Sequence, residues 1–182
     1  MIIIITGTPG TGKTTISSKL AENIGAELVP VNKLAENENL FLGTDPKRGY
    51  QIVDIGALDK SIDDIKKRYN DNEIIIVEGH LAQDYPNADM IIVLRCQPDI
   101  LNNRLNRRNW SHNKIKENVS AEILGICSSE SYESYGDIVQ EIDTSKNNID
   151  ECVTLLKKII LGDISYPIGE IDYLMDYCSF LD

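Results

Sequence analysis

Basic residues are scarce in this chain: 18 lysines and arginines stand against 29 aspartates and glutamates, a formal net charge of −11 over 182 residues. A protein whose main work is gripping nucleic acid needs a basic face to neutralise phosphates, so the balance argues against that class. Any tie to RNA would run through a basic protein partner. Cysteines are few and dispersed, with Cys96, Cys127, Cys152 and Cys178 forming no C-x-x-C pair and neither His80 nor His112 in metal-ligand spacing to them. That pattern excludes a disulfide scaffold and a zinc ribbon and predicts reduced thiols in a cytosolic protein. Long apolar runs are missing too. The run Met1 to Ile5 falls far short of the ~20 residues that span a bilayer, and it lacks the basic start of a signal peptide. A soluble, cytoplasmic protein without membrane attachment is the expectation. There is no internal repeat and no low-complexity tract.

What is present suits one α/β domain, since a chain of this length buries about 70 % of its unfolded surface without staples. The organising stretch is the first fifteen residues. The apolar run leads into Gly7-Thr8-Pro9-Gly10-Thr11-Gly12-Lys13-Thr14-Thr15, which fills the G-x-x-x-x-G-K-[ST] pattern at every position and is followed by an amphipathic helix pattern from Thr14 to about Ile24. Several backbone N–H groups must converge on a phosphate chain, and a Cβ would obstruct them, so Gly7, Gly10 and Gly12 are the expected residues. Lys13 then supplies charge to the β and γ phosphates, and the Thr14 hydroxyl is placed to ligate magnesium. The following helix adds its positive dipole end. The pattern predicts ATP and Mg2+ binding.

Downstream, Ala26 to Val31 reads as a strand, and Asn32 as the cap of a helix through Lys33-Leu34-Ala35-Glu36. Periodicity fails from Asn39 to Val53, where Gly43, Asp45-Pro46, Lys47-Arg48-Gly49 and Tyr50 are turn and surface types. This is a candidate substrate-facing segment. Asp54 to about Tyr69 carries one buried helical face. Ile74 to Val77 and Met90 to Leu94 are continuous apolar runs, as strands covered on both faces should be. They deliver Glu78-Gly79-His80 and Arg95 to their carboxyl ends, where ligands of open α/β sheets bind. Pro98-Asp99 starts a helix that passes Leu101 and Leu105 and reaches Arg104, Arg107 and Arg108, a basic cluster in an acidic chain. A long helix from Ile115 to about Tyr132, a strand from Asp137 to Ile142 and a helix from Ile149 to Leu161 complete the pattern. Five strands alternating with helices predict a doubly wound parallel sheet over residues 1–161. The acidic tail 162–182 would either pack on the body or stay loose.

Among P-loop classes, a GTPase signature Asn-Lys-x-Asp is absent, because Asn32-Lys33 and Asn113-Lys114 run into Leu34-Ala35 and Ile115-Lys116. A small kinase instead needs a P-loop, an acceptor segment after the second strand and an arginine-bearing lid, and these occur in that order. The chain resembles the adenylate kinase isoenzyme 6 family, archaeal adenylate kinases also known in eukaryotes as a maturation factor of the small ribosomal subunit. The resemblance covers residues 1–161. Besides the P-loop it rests on Val31 to Glu36, Val77-Glu78-Gly79-His80, Val93-Leu94-Arg95, Arg104-Leu105 with Arg108, Lys116 to Val119, and Ala121-Glu122-Ile123.

The resemblance implies a broad-specificity nucleoside monophosphate kinase (ATP + AMP = 2 ADP) with ATPase activity, an acceptor segment at 30–53 and a short lid at 107–117. It implies ATP contacts from Gly10, Gly12, Lys13, Thr14 and Thr15, from Arg108 in the lid and from Lys146 beside the adenine. It also implies binding to a basic small-subunit ribosomal protein during late rRNA processing. The family usually has aspartate where this chain has Glu78, and often an aromatic residue where it has Gly79; His80 matches.

The residues themselves suggest Lys13 and Arg108 as neutralisers of transferred charge, Glu78 as a second holder of magnesium beside Thr14, and His80 as a group positioning water or an acceptor oxygen. Arg95 is open between an acceptor-phosphate contact and a structural ion pair, and Arg104 reads as a partner within its own helix. Asp54, Lys47 and Arg48 are weaker acceptor-site candidates, while Trp110 and His112 read as lid packing and a solvated lid residue. Two other functions fit the same residues: an ATP-driven ribosome assembly factor with incidental kinase turnover, or a small-metabolite kinase.

Overall fold

The computed structural model describes residues 1–46 and 49–181; the candidates Lys47 and Arg48 lie outside them. Strands β1 (Ile2–Thr6), β2 (Glu27–Pro30), β5 (Ile75–Glu78), β6 (Met90–Arg95) and β7 (Val139–Asp143) form one sheet in the order β2-β5-β1-β6-β7. Every pairing in it is parallel. The expected five-stranded parallel sheet is present.

The central strand explains why this arrangement is stable. Ile2, Ile3, Ile4 and Ile5 are fully buried, because successive side chains point to opposite faces and each face has its own cover. Ile2 and Ile4 join Leu58 and Ile62 of α3 (Ile55–Lys66). Ile3 and Ile5 join Ile16 and Leu20 of α1 (Lys13–Ile24) and Leu156 of α7 (Ile149–Ile160). Each such side chain contributes about 1.5–3 kcal/mol of transfer free energy. A third, smaller cluster joins Leu101 and Leu105 of α4 (Pro98–Asn106) to Ile115, Val119 and Ile123 of α5 (His112–Ile123). The register puts Thr6, Glu78, Arg95 and Asp143 along one edge of the sheet. The connection leaving β1 runs outward to β2 and the one leaving its neighbour β5 runs back across to β6, so the crevice beyond the carboxyl ends of β1 and β5 is the topological switch point.

Local structure departs from the sequence expectation at three places. Helix α2 runs Val31–Glu38 from Pro30, with no side-chain cap, so Asn32 lies inside the helix rather than capping it. The irregular segment forms an antiparallel ribbon, β3 (Phe41–Thr44) with β4 (Gln51–Val53), bulged between Phe41 and Gly43. Leu42 and Ile52 are exposed, so the ribbon has no buried face to impose a period of two. The long helix is two helices, α5 and α6 (Ile126–Tyr135), separated at Leu124-Gly125. Gly125 takes a left-handed conformation that few other residues tolerate. The chain thereby turns beside the Arg95 guanidinium, 3.7 Å from where a Cβ on Gly125 would stand.

The tail packs on the body. It crosses the outer edge of β7, where Glu141 N–H donates to the Tyr166 carbonyl at 2.8 Å and Gln140 bridges Pro167 in antiparallel fashion. Covering an edge strand this way removes a row of open backbone groups. Tyr173 is buried against the Arg95 guanidinium, 5.3 Å from its ring centre.

Arg95 is a structural ion-pair residue. Its Nε reaches Glu122 at 2.9 Å and its Nη1 reaches Glu141 at 2.6 Å, with all three side chains at most 3 % exposed. Burial disfavours the guanidinium charge, but the two carboxylates outweigh it and raise its pKa. Removing one member of such a set strands the others. Arg95→Met is expected to destabilise the protein by about 3–5 kcal/mol, lowering the thermal midpoint by roughly 10 °C in a calorimetric or circular-dichroism melt.

Candidate active site

The loop between β1 and α1 has the backbone its glycines predict. Gly7 has φ +135°, and a Cβ there would stand 2.3 Å from the Leu94 carbonyl oxygen of the neighbouring strand. Gly10 has φ +100° and fits against Leu101 and Leu105, 2.8 and 2.9 Å from its would-be Cβ. Gly12 caps α1 without any side-chain cap, which leaves the first-turn N–H groups facing the crevice as donors for an anion.

Lys13 folds back over this loop, its Nζ donating to the carbonyls of Gly7 at 2.7 Å and Thr8 at 3.1 Å. Burial lowers its pKa, opposed by the charges of Cys127 and Glu78 and reinforced by Arg108. Thr14 and Thr15 are exposed on the first turn of α1. The Thr14 hydroxyl donates to Glu78 Oε1 at 3.3 Å, so residues 64 positions apart present two oxygen ligands to one point. A hard divalent cation accepts that donor set. Glu78 is 7 % exposed, and burial raises its pKa above the usual 4.5, against the opposing pull of Lys13 and Thr14.

His80 follows Glu78 by two residues and lies at the solvent edge, its Nδ1 4.0 Å from the buried Cys127 thiol. Burial of the ring and then Lys13 lower its pKa, favouring neutral imidazole. Gly79 between them has a packing reason. A Cβ there would stand 2.9 Å from Val31 Cβ, and Val31 is fully buried at the start of α2; no larger side chain fits.

The basic cluster divides. Arg104 does not pair within its helix; it reaches the Gly10 carbonyl at 3.4 Å and the Thr144 carbonyl at 3.1 Å. Thr144 in turn donates to the Thr11 carbonyl at 2.8 Å, tying the end of β7 to the phosphate loop. Arg107 and Arg108 are exposed, and Arg108 lies 5.6 Å from the Trp110 ring centre. Lys114 stands 4.0 Å from the Trp110 ring centre and 4.9 Å from that of Tyr50, bridging the segment after α4 to the β3–β4 ribbon. Lys146 is largely exposed and 3.5 Å from Asp143. It lines a cleft of about 470 Å³ with Asp143, Tyr173 and Tyr177. Asp54 caps α3 by accepting from Ala57 N–H at 3.0 Å. The structure thus gathers Gly10, Gly12, Lys13, Thr14 and Glu78, sets His80 and Arg108 at the rim, and places Lys146 on the cleft beside Asp143. Sequence reasoning missed the parts of Arg104, Thr144 and Thr8; Glu122 was visible only as part of a motif.

A glycine-cradled loop at the switch point of this sheet, with a lysine and a hydroxyl–carboxylate pair at its mouth, defines a P-loop kinase, a class that uses nucleotide. Residues 3–125 match a family described as "AAA domain". A relative from Methanothermobacter thermautotrophicus, bearing the name "Putative adenylate kinase", is 36% identical over 172 residues, 94% of this chain and 96% of its own. One of the same name from Methanococcus maripaludis is 37% identical and covers all of both chains. Among solved structures, a shikimate kinase from Acinetobacter baumannii superposes with a TM-score of 0.62 at 17% identity, covering 89% of this chain and 93% of its own. A deoxyadenosine kinase from M. mycoides gives 0.55 at 20%, covering 90% of this chain and all of its own. The chain belongs to the family of these archaeal proteins that bear the name "Putative adenylate kinase".

The Glu78 shift has a measurable consequence. Because its folded pKa is raised, the buried carboxylate costs stability when ionised at neutral pH, and the cost fades as pH falls through the folded pKa. Glu78→Gln is therefore expected to raise the melting midpoint of the nucleotide-free protein at pH 7, by ~2–4 °C per kcal/mol removed. The gain should shrink as the melts are repeated toward pH 4.5, the usual value for the group.

Proposed function

We propose that the protein is a nucleoside monophosphate kinase that transfers the γ-phosphoryl group of ATP to AMP or another nucleoside monophosphate. The observation that carries the reading is the convergence of Lys13 with the Thr14–Glu78 pair at the mouth of the loop, and the relatives' name supports it. Transfer of a phosphoryl group asks for positioning and charge neutralisation rather than covalent chemistry. Backbone N–H groups from Gly10 to Thr15 would cradle the phosphates, and Lys13 would leave the loop carbonyls to meet the β and γ phosphates. Arg108 would approach from a lid at 107–117, while the acceptor sits in the segment 30–53. Thr14 and Glu78 would hold Mg2+, which would supply positive charge against the phosphates. Neutral His80 would orient the acceptor oxygen, or water during a slower ATPase reaction. Lys146 would line the adenine pocket.

A second reading, an ATP-driven factor in maturation of the small ribosomal subunit, rests on the net charge of −11, which suits a basic ribosomal protein as partner. ATP consumption with Mg2+, with and without AMP, separates the two. The kinase predicts AMP-dependent formation of two ADP per ATP; slow phosphate release indifferent to AMP would overturn it in favour of the assembly factor. Lys13→Ala should lower turnover roughly 100-fold or more under either reading with an unchanged circular-dichroism spectrum, and wild-type turnover in that variant would remove the site assignment.

A further inference from the structure

We propose that Glu122 is a positioning residue for the phosphate-binding loop, holding it in shape through the side-chain hydroxyl of Thr8; the proposal rests on the reading of that loop as the ATP site. Thr8 is 1 % exposed, and its carbonyl is where the loop closes on itself. That one oxygen accepts from Thr11 N–H at 3.2 Å, Thr11 Oγ1 at 2.9 Å and Lys13 Nζ at 3.1 Å. Whatever fixes the orientation of residue 8 therefore fixes the loop's turn and the resting place of its lysine. The Thr8 hydroxyl points away from the loop and donates to Glu122 Oε2.

Glu122 has no freedom to follow the loop. Its Oε1 accepts from Arg95 Nε at 2.9 Å and from Cys96 N–H at 2.9 Å, and its own carbonyl accepts from Arg95 Nη2 at 3.0 Å. The carboxylate is 1 % exposed and its charge is met by Arg95, so the second oxygen is a fixed acceptor in a dry setting, where a hydrogen bond to charge is strong. The same guanidinium is held by Glu141, whose other oxygen accepts from Gly169 N–H of the tail at 3.0 Å. The anchor for the loop is thus braced by β6, β7, α5 and the tail together. Only its last contact, the one to Thr8, reaches the nucleotide loop; the other contacts would hold the fold without it. A structural carboxylate needs the first set, and a positioning one needs both.

The test uses Thr8→Val, which deletes the hydroxyl and keeps the shape, and Thr8→Ser, which keeps the hydroxyl and deletes the methyl. ATP binding is measured by calorimetry with Mg2+, alongside steady-state kinetics and a thermal melt. Thr8→Val is expected to weaken ATP binding and raise KM for ATP roughly tenfold, the equivalent of about 1.4 kcal/mol, with kcat changed by less than about threefold. Thr8→Ser should restore binding to within about threefold of wild type. In a Glu122→Gln background the Thr8→Val change should add little, because both alter one contact; if that background does not fold, the two Thr8 variants decide alone. Wild-type ATP binding in Thr8→Val overturns the proposal while leaving the ATP site standing, and an equal loss in Thr8→Ser overturns it by assigning the effect to methyl packing. Failure of the wild-type protein to bind ATP overturns both.

Discussion

The interaction on which most of this structure leans is a buried cluster of charge at the carboxyl end of β6. Arg95 sits between Glu122 and Glu141, with Ser128, the Ile171 carbonyl and the Tyr173 ring completing its surroundings. Charges taken from water to this depth cost several kcal/mol each unless they are paired and hydrogen-bonded, and here they are. The arrangement decides much around it. Gly125 is where α5 must stop so that Glu122 and Ser128 can approach the guanidinium from two helices. The tail lies where it does because Glu141 offers its second oxygen to Gly169. The phosphate loop stands immediately above.

How much of this could be read from sequence follows from how local each determinant is. The phosphate loop was legible because its geometry is encoded in contiguous residues: three glycines whose positive φ angles and crowded would-be Cβ positions leave few alternatives. The sheet was legible because β1, β5 and β6 are apolar on both faces, which only a covered parallel strand requires. The break at Gly125 was hidden because the residues on either side keep a helical pattern. The β3–β4 ribbon was hidden for the opposite reason, since exposed short strands carry no pattern. Arg95 could be left only as a choice between two roles, because its partners lie 27 and 46 residues away and nothing local announces them. Arg104 was misassigned on similar grounds: a neighbour on the same helix is the near choice, but the Gly10 and Thr144 carbonyls are the real ones.

Packing accounts for the small residue between Glu78 and His80. At Gly79 a Cβ would stand 2.9 Å from the Cβ of buried Val31, so the small residue and the start of α2 are a matched pair. At Glu78 the carboxylate accepts from the Thr14 hydroxyl directly, keeping together two oxygens that a strand and a helix from different parts of the chain supply.

The two opposite charges in the site support each other, but burial outweighs that support at both. Burial pushes the Lys13 amine down and the Glu78 carboxyl up, which means each is held in water-poor surroundings with too little opposite charge nearby. Lys13 meets the deficit with two carbonyl dipoles and Glu78 with one hydroxyl. These are modest partners for full charges. Under the proposed function, a phosphate chain would bring negative charge to Lys13 and a divalent cation positive charge to Glu78, so ATP with its metal would relieve both desolvation costs in addition to the contacts it makes.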